Sequence, residues 1–395
     1  MKKVLLVTSS ACMILRFNLE NIRLLQSLDC QVDIACNFVH GNTCDDQGVQ
    51  ELKRWCAEHR VGCHQVDFDR NVYHFRQNIR AYTQLLALLR ANSYAFIHCH
   101  TPIGGVIARL AGHAASVPVI YTAHGFHFFS GAPLKNWLLY YPVERLLAHR
   151  TDTLITINHE DYARARKFAA KHVAYIPGVG IDTVKFQPMP ELRASKRAAL
   201  GLKMNDIVLL TIGELIPRKN HAAVLRALAM LKGLPNFPRM QLLICGRGEM
   251  ETPLRDLALA EGISDHVRFL HYRQDIAEIC NASDLFIFAS HQEGLSVALM
   301  EAMACGLPVI ASRIRGNTDL IEDGVSGLLI SGDAKLAPAI ESLVGAPDVC
   351  AALGAAARER TREFATERVQ ALMRDIYASM LEKIPENETK GAAGA

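Results

Sequence analysis

Two adjacent cations in the second half of the chain could neutralise a phosphorylated leaving group. Arg218 and Lys219 follow an aliphatic run at 208–213 and precede a helical pattern that begins near Asn220. A departing diphosphate gains negative charge in the transition state, so cations held at the carboxyl end of a strand stabilise it. We therefore predict that Arg218 and Lys219 are electrostatic catalysts. The alternative is a pair of solvated cations at a helix start.

Two glutamates farther along the chain are spaced for a sugar nucleotide. Glu293 closes a loop after a strand-like run, and seven residues separate it from Glu301. Gly294, Leu295 and Ser296 would open a helix whose free backbone N–H groups form an anion site. A regular helix carries Glu301 about 12 Å along its axis, so one carboxylate could bind the sugar and the other the ribose. Solvated helices carry such pairs too, but here strand, glycine loop and helix follow in order.

Histidines follow two successive strand candidates in the first half of the chain. His100 comes after the run at 96–99, and His124 comes after the run at 119–122. Parallel strands end at a shared edge, where a histidine facing an interdomain cleft could hydrogen-bond a donor sugar or an acceptor hydroxyl. We expect His124 to contact substrate and His100 to line the acceptor pocket. A histidine satisfied by backbone groups in the core is the alternative.

Alternating strand and helix patterns predict the scaffold that positions these residues. Short aliphatic runs separated by longer helical patterns are typical of parallel sheets built from βαβ units. The strand candidates are 3–7, 32–36, 62–66, 96–99, 119–122 and 153–157 in the first half, and 208–213, 241–245, 267–269, 285–288, 308–311 and 327–329 in the second.

Proline and glycine residues between 176 and 190 interrupt these patterns and predict an interdomain hinge. The sequence therefore predicts an α/β protein of two Rossmann-like, doubly wound domains, 1–180 and 181–365. A helix at 366–384 would cross back to the first domain. The small and polar residues 385–395 predict a disordered tail.

Composition restricts the partners and the compartment. The chain has 395 residues with 43 Lys plus Arg against 40 Asp plus Glu, a balance that argues against a nucleic-acid partner. Its apolar runs are shorter than the ~20 residues that span a bilayer. The apolar run at the N-terminus is also too short for the core of a signal peptide, so we expect a cytoplasmic protein. Its 11 cysteines include no C-x-x-C pair, which predicts reduced core residues (Cys12, Cys99, Cys245, Cys305) and neither a disulfide framework nor a metal site.

The paired glutamates and the following Gly-Leu-Pro-Val-Ile-Ala at 306–311 resemble the large retaining glycosyltransferase family 4 of GT-B fold. The resemblance extends over nearly the whole chain. It implies two domains facing each other across a cleft, with acceptor bound by the first and a nucleotide-diphosphate sugar, UDP-linked by preference, bound by the second. It also implies that Glu293 and His124 contact the donor sugar, that Glu301 contacts the ribose, and that the 294–296 amides contact phosphate.

Other donor-site residues are implied by the same resemblance. Gly213, Arg218 and Lys219 match the family pattern G-x-L-x-x-x-K-[GN], in which the basic pair replaces a divalent metal, so neither metal nor cofactor is expected. Gly246 and Gly248 resemble the family's G-x-G-x-[EYP] turn, where backbone approaches the nucleotide. A plain tight turn is the alternative. Arg273 lies where the family presents backbone to the nucleobase and would pack on the base or face solvent.

The first half departs from the family at one position. Many members carry Gly-Gly after the first strand, whereas this chain has Ser9 and Ser10, whose small side chains still allow close backbone approach. Arg16, expected at a helix start, would contact acceptor or phosphate, with a surface role as the alternative.

Residues 122–125 and 142–145 resemble one subgroup of this family. That subgroup builds capsular or exopolysaccharide units on a lipid diphosphate carrier. The aromatic segment 126–141 carries Lys135 and could lie at a membrane surface, or form a helix packed on its own domain. The expected reaction is transfer of a hexose or N-acetylhexosamine, with retention, to a glycan or lipid-linked glycan. Alternatives are a nucleotide-sugar epimerase of the same fold, a non-catalytic nucleotide-sugar binding module, or an interaction protein that only shares the fold.

Overall fold

A computed structural model describes residues 1–41, 44 and 46–384. The chain divides into two compact units, one formed by Met1–Ile176 together with the chain from Val369, the other by Pro177–Arg368. The division after Ile176 falls within the predicted hinge. The predicted tail, 385–395, lies outside the described residues.

The first unit contains a parallel sheet with the strand order β3-β2-β1-β4-β5-β6-β7. The chain therefore runs outward from β1 in both directions, as in a doubly wound fold. The strands are β1 (Lys2–Val7), β2 (Cys30–Cys36), β3 (Gly62–Gln65), β4 (Tyr94–His100), β5 (Val119–Ala123), β6 (Thr153–Thr156) and β7 (His172–Tyr175).

Helices cover both faces of this sheet. They are α1 (Ala11–Phe17), α2 (Leu19–Ser27), α3 (Asp46–Glu58), α4 (Phe75–Ala91), α5 (Pro102–Ala114), α6 (Leu134–Ala148) and α7 (His159–Ala165). Successive residues of β1 point to opposite faces. Val4 and Leu6 join the core formed with α1, α2 and α3, whereas Leu5 and Val7 join the core formed with α4, α5 and α6.

The second unit repeats this plan with the strand order β10-β9-β8-β11-β12-β13. Its strands are β8 (Ile207–Ile212), β9 (Met240–Cys245), β10 (Val267–His271), β11 (Leu285–Phe288), β12 (Val309–Ser312) and β13 (Leu328–Ile330). Its helices are α8 (Pro190–Ala199), α9 (His221–Met230), α10 (Glu251–Ala260), α11 (Ile276–Ala282), α12 (Val297–Ala304), α13 (Asn317–Leu320), α14 (Leu336–Val344) and α15 (Pro347–Thr361). The predicted α/β class with two doubly wound parallel sheets is confirmed.

The last helix, α16 (Thr366–Glu382), packs most of its length on the first unit. Val369, Met373, Tyr377 and Met380 recur at helical spacing and are all buried in the core that includes Val4. The Tyr377 hydroxyl also hydrogen-bonds Nδ1 of His98 on β4 at 2.7 Å. One apolar stripe and one buried polar contact therefore hold this helix.

Two features of the first unit differ from the sequence predictions. Strand β7 was not predicted, because its four residues are exposed or only half-buried at the sheet edge and form no aliphatic run.

Cys12 was expected to be reduced, and this was wrong: Cys12 and Cys44 form a disulfide, with Cα atoms 5.8 Å apart and 32 residues of sequence separation. The pairing is set by tertiary structure and has no local spacing signal. Cys99, Cys245 and Cys305 are buried and free, as expected.

Among the described helices, none is by itself long and apolar enough to cross a bilayer. One pair of segments, Asp333–Val344 and Pro347–Phe364, has the necessary length and composition when taken together, with a bend of 108° between them.

The Tyr377 contact leads to a stability prediction. Tyr377→Phe removes the hydroxyl and leaves a buried nitrogen of His98 without a partner, which should lower the free energy of unfolding by about 1–3 kcal/mol. Urea denaturation followed by circular dichroism measures this. Tyr73→Phe is the matched control, since Tyr73 is 71% exposed and its hydroxyl should matter little. Equal stability of Tyr377→Phe and wild type would show that this contact does not hold α16.

Candidate active site

Two loops of the second unit bring Lys219 and Glu293 together. Lys219 Nζ donates a hydrogen bond to Glu293 Oε1 at 2.6 Å, and Arg218 Nη1 lies 3.8 Å from the same oxygen. The Glu293 side chain is buried, whereas that of Arg218 is 41% exposed. Three of the four predicted catalytic residues therefore form one cluster, with a carboxylate shielded beneath two cations.

The strand order explains why these distant residues meet. Strands β8 and β11 are neighbours, so the loops that leave their carboxyl ends lie side by side. The β8 loop forms a single 3-10 turn, Pro217–Lys219, which ends at Asn220 in the left-handed region at φ 54°. Asn220 Nδ2 donates to the carbonyl of Ala289, and the His291 N–H donates to the carbonyl of Arg218. These bonds fix the cationic loop against the loop that carries Glu293.

The helix after Glu293 starts later than the sequence suggested. Gly294, Leu295 and Ser296 were expected to open the helix, but α12 begins at Val297. Ser296 is its N-cap, and its hydroxyl accepts a hydrogen bond from the Leu299 N–H at 3.3 Å. A serine cap is favoured over a serine in the first turn because its hydroxyl satisfies an otherwise unpaired N–H. A phosphate contact of residues 294–296 stays a prediction.

Sequence reasoning missed the support for this loop. Arg315 follows β12, and its Nε donates to the Glu293 carbonyl at 3.1 Å. Gly316, at φ 84°, lies so close that a Cβ there would be 2.4 Å from the Gly294 carbonyl oxygen. An arginine followed by a glycine in the loop after a strand was the available signal, but the sequence does not show which loop they support.

The predicted glycine turn is a site of close backbone packing. A Cβ at Gly246, which has φ 153°, would lie 1.8 Å from the carbonyl oxygen of Gly213. A Cβ at Gly248 would lie 2.3 Å from the carbonyl oxygen of Leu215. Glycine is therefore required here so that the β8 and β9 loops can touch. This packing accounts for the glycines sterically, and their contact with a nucleotide stays a prediction.

Burial perturbs two titratable groups of the second unit. Burial raises the pKa of Glu301 on α12 to about 7, and Lys185 opposes the shift only in part. His221, which was not predicted as a site residue, is buried, and burial lowers its pKa to about 4. Its Nε2 has no hydrogen-bond partner. This nitrogen lies close to Gly213, since a Cβ placed on that glycine would be 3.6 Å from it. His221 therefore adds a neutral imidazole, not a third cation, next to the cationic loop.

Arg273 is engaged by its own loop. Its Nε and Nη2 donate to the two carboxylate oxygens of Asp275 at 2.8 and 2.5 Å. The same carboxylate binds Lys196, and these cations hold the pKa of Asp275 well below its usual range. The guanidinium remains about one-third exposed, so packing on a nucleobase stays a prediction.

In the first unit, the two predicted histidines are hydrogen-bonded to each other, and the ring of a third histidine, His98, lies against His100. His100 Nδ1 and His124 Nε2 are 3.0 Å apart, and the rings of His98 and His100 lie 4.2 Å apart. His98 also binds the hydroxyls of Tyr377 and Thr122. Burial lowers the pKa of His98 to about 3 and that of His124 to about 4, and it lowers the pKa of His100 well below its usual value. All three imidazoles are therefore neutral near pH 7 and can donate or accept hydrogen bonds.

Two of the three other first-unit residues selected from the sequence lie at the same edge of the sheet. Ser9 and Ser10 are buried after β1, and the Ser9 N–H donates to the hydroxyl of Thr101, the residue after His100. Arg16 was expected at a helix start. It lies instead in the last turn of α1 and is exposed, because α1 already begins at Ala11.

Within the described residues, no group of three or more His, Cys, Asp or Glu side chains is arranged to hold a metal ion. The positive charges beside Glu293 are those of the Lys219 and Arg218 side chains.

Known proteins resemble both halves of the chain. Residues 193–360 match the family described as glycosyl transferases group 1, and residues 16–178 match the glycosyl transferase 4-like domain. The chain is 40% identical over 314 residues to the putative glycosyltransferase EpsD of Bacillus subtilis, covering 78% of this chain and 82% of that protein. It is 32% identical over 259 residues to the Escherichia coli UDP-Gal:alpha-D-GlcNAc-diphosphoundecaprenol alpha-1,3-galactosyltransferase, covering 64% of this chain and 67% of that protein.

Solved structures share the fold. Anabaena HepE in complex with UDP and glucose superimposes with a TM-score of 0.77 over 96% of this chain and 100% of that chain, at 20% identity. Sucrose-phosphate synthase from Thermosynechococcus elongatus gives a TM-score of 0.78 over 97% of this chain and 100% of that chain, at 19% identity. At these identities the likeness concerns the fold alone.

The raised pKa of Glu301 makes stability depend on pH. The unfolded state ionises near pH 4.5 and the folded state near 7, so the folded protein loses stability as pH rises between those values. Glu301→Gln stays neutral. Its free energy of unfolding, compared with wild type, should rise by about 1–3 kcal/mol between about pH 5 and about pH 8.

Chemical denaturation of both proteins across this range measures the difference. Glu341→Gln is the matched control, because Glu341 is exposed on α14. A difference between Glu301→Gln and wild type that stays constant with pH would show that Glu301 ionises normally.

Proposed function

Since the chain belongs to the family 4 glycosyltransferases of GT-B fold, we propose that it transfers a hexose or N-acetylhexosamine from a UDP-linked donor, with retention, to a lipid-diphosphate-linked saccharide. The E. coli relative is named for UDP-galactose and a diphosphoundecaprenol-linked acceptor, and HepE was solved with UDP and glucose. These names support a role in exopolysaccharide or capsule synthesis. Because a lipid-linked acceptor stays in the bilayer, we also infer a cytoplasmic enzyme in peripheral contact with the membrane.

The observation that carries this proposal is the contact of Lys219 with Glu293, with Arg218 beside it. The Glu293 carboxylate accepts a hydrogen bond from the Lys219 ammonium group. A donor diphosphate would compete for both cations and free Glu293 to accept hydrogen bonds from sugar hydroxyls. Because the cations are already assembled, they would stabilise the leaving group with little reorganisation. This replaces the charge that a metal ion would otherwise supply.

The chemical step follows from these roles. The bond between the anomeric carbon and the diphosphate oxygen breaks, and the acceptor oxygen attacks from the same face. The acceptor proton passes to an oxygen of the departing diphosphate, so the protein need not supply a strong base. His124, neutral and held by His100, would orient a sugar hydroxyl.

Transfer is tested with the purified full chain, a panel of UDP-sugars and a short-chain lipid-diphosphate saccharide. We expect UDP to raise the melting temperature, and one UDP-sugar to yield a longer lipid-linked product with the anomeric configuration of the donor by NMR. A donor sugar interconverted without acceptor would establish an epimerase instead. Donor binding without any turnover across the panel would establish a binding module.

Lys219→Ala tests the electrostatic role. Turnover should fall at least about a hundredfold, because the departing diphosphate loses a close cation. Since the change also leaves the buried Glu293 with only the more distant Arg218, circular dichroism and thermal melting must accompany the kinetics.

Lys232→Ala is the matched control in the same unit, because Lys232 is exposed and its Nζ donates to the backbone carbonyl of Glu261. The double variant Lys219→Ala, Glu293→Gln removes the unpaired carboxylate and should restore stability but not turnover. Wild-type turnover by a folded Lys219→Ala protein would refute the role.

A further inference from the structure

The exposed face of helix α6 is apolar and basic. It carries large aliphatic side chains with exposures between 38% and 72%: Leu134, Leu138, Leu139, Val143 and Leu146. Lys135 and Arg145 are exposed on the same helix, and His149 and Arg150 follow directly. All of α6 is described, and its one carboxylate, Glu144, is buried. The exposed face therefore carries positive charge and no negative charge.

These exposed aliphatic side chains are not part of the hydrophobic core of the first unit. The opposite side of α6 packs Trp137 and Tyr141 against Phe128 and Phe168, with ring centroids 5.3 to 5.7 Å apart. The sequence left open whether the aromatic segment 126–141 lies at a membrane surface or packs on its own domain, and Phe126 and Phe128 are buried inside the unit. The aliphatic residues, not these phenylalanines, face outward. Several large aliphatic side chains exposed along one helix form a patch that monomeric soluble proteins rarely show.

A second patch of the same chemistry lies at the start of α4. Tyr73, Phe75 and Ile79 are 71%, 67% and 64% exposed. Three exposed arginines are interleaved with them: Arg70, Arg76 and Arg80. The neighbouring acids are engaged, Asp69 with His74 at 2.7 Å and Asp67 with Arg80 at 3.1 Å.

The topology places both patches on one side of the first unit. Helices α4, α5 and α6 contribute to the same core cluster, so they cover the same face of the sheet, and α5 packs against both of the others. Strands β3 and β5 lead into α4 and α6, so both helices begin at the carboxyl edge of the sheet. That edge also carries His100 and His124.

We propose that the exposed face of α6 and the start of α4 form a docking surface for an anionic lipid bilayer. Aliphatic and aromatic side chains gain free energy when they enter the boundary between headgroups and acyl chains. Lysine and arginine beside them are attracted by anionic headgroups. The surface would hold the carboxyl edge of the first sheet close to the headgroups, where a lipid-diphosphate saccharide presents its hydroxyls.

A second copy of the chain fits this surface less well. In a two-fold dimer the same patch meets itself, so Lys135 and Arg145 would face equal charges with no exposed carboxylate of α6 to pair with. An anionic bilayer supplies the missing negative charge. The docking surface does not depend on the proposed reaction, because binding to lipid requires neither donor nor acceptor.

Vesicle flotation with the full chain tests the surface. At about 0.1 M salt, the protein should float with vesicles of phosphatidylglycerol and phosphatidylcholine and bind vesicles of phosphatidylcholine alone at least about tenfold less. Leu138→Glu should lower binding to the anionic vesicles at least about tenfold, because it places a negative charge in the centre of the apolar face. Leu259→Glu is the matched control: Leu259 is 72% exposed on α10 of the second unit, and Leu138 is 70% exposed.

Each result decides the proposal. Thermal melts verify that the variants fold, and size-exclusion chromatography with light scattering reports the oligomeric state. A wild-type protein that stays in the soluble fraction, equal binding by Leu138→Glu, or equal binding to neutral vesicles would overturn it. A wild-type dimer that Leu138→Glu dissociates, without vesicle binding, would assign the face to a second copy. Turnover of a water-soluble acceptor should be unchanged in Leu138→Glu, which separates failure of docking from failure of the reaction.

Discussion

The second unit is organised around a carboxylate that is kept out of water. Glu293 is buried, and a buried carboxylate is tolerated only when a cation and hydrogen bonds offset the loss of hydration. Lys219 supplies the cation from another loop, and Arg315 donates to the Glu293 backbone from a third. Three loops at the carboxyl ends of neighbouring strands are thereby tied to one residue. A ligand phosphate that competes with Glu293 for Lys219 would therefore change the contacts of all three loops.

Close backbone contact is the second constraint, and it explains the glycines. The loops after β8 and β9 touch through Gly213 and Gly246, and Gly316 lies against the Gly294 carbonyl, so a side chain at Gly246 or Gly316 would separate the segments it touches. Dense packing of this kind holds the polar side chains at fixed distances above the aliphatic core of the unit. The positions of Lys219 and Glu293 therefore depend on residues that make no polar contact with either.

The sequence predicted the elements that have strong local signals. Buried aliphatic runs identified most strands, and polar residues at their carboxyl ends pointed to Lys219 with Glu293 and to His100 with His124, pairs that are in contact in the structure. It missed what depends on tertiary context: the half-buried edge strand β7, the disulfide of Cys12, and the support of the Glu293 loop by Arg315. The start of α12 was misplaced by three residues because Gly294 resembles a helix opening, whereas the Ser296 hydroxyl makes the cap.

In the first unit, a buried ion pair decides which side of α6 faces outward. Arg109 Nη1 donates to Glu144 at 2.8 Å, and the Tyr121 hydroxyl donates to the same carboxylate at 3.2 Å. Both partners lie inside the unit, so Glu144 must point inward, and the aromatic residues near it are turned inward as well. Rotating α6 to bury its leucines would expose Glu144 and leave the Arg109 guanidinium buried without its carboxylate, which costs more than exposed leucines do. The apolar outer face is thus imposed by the ion pair on the inner one, and only a partner outside the unit can cover it.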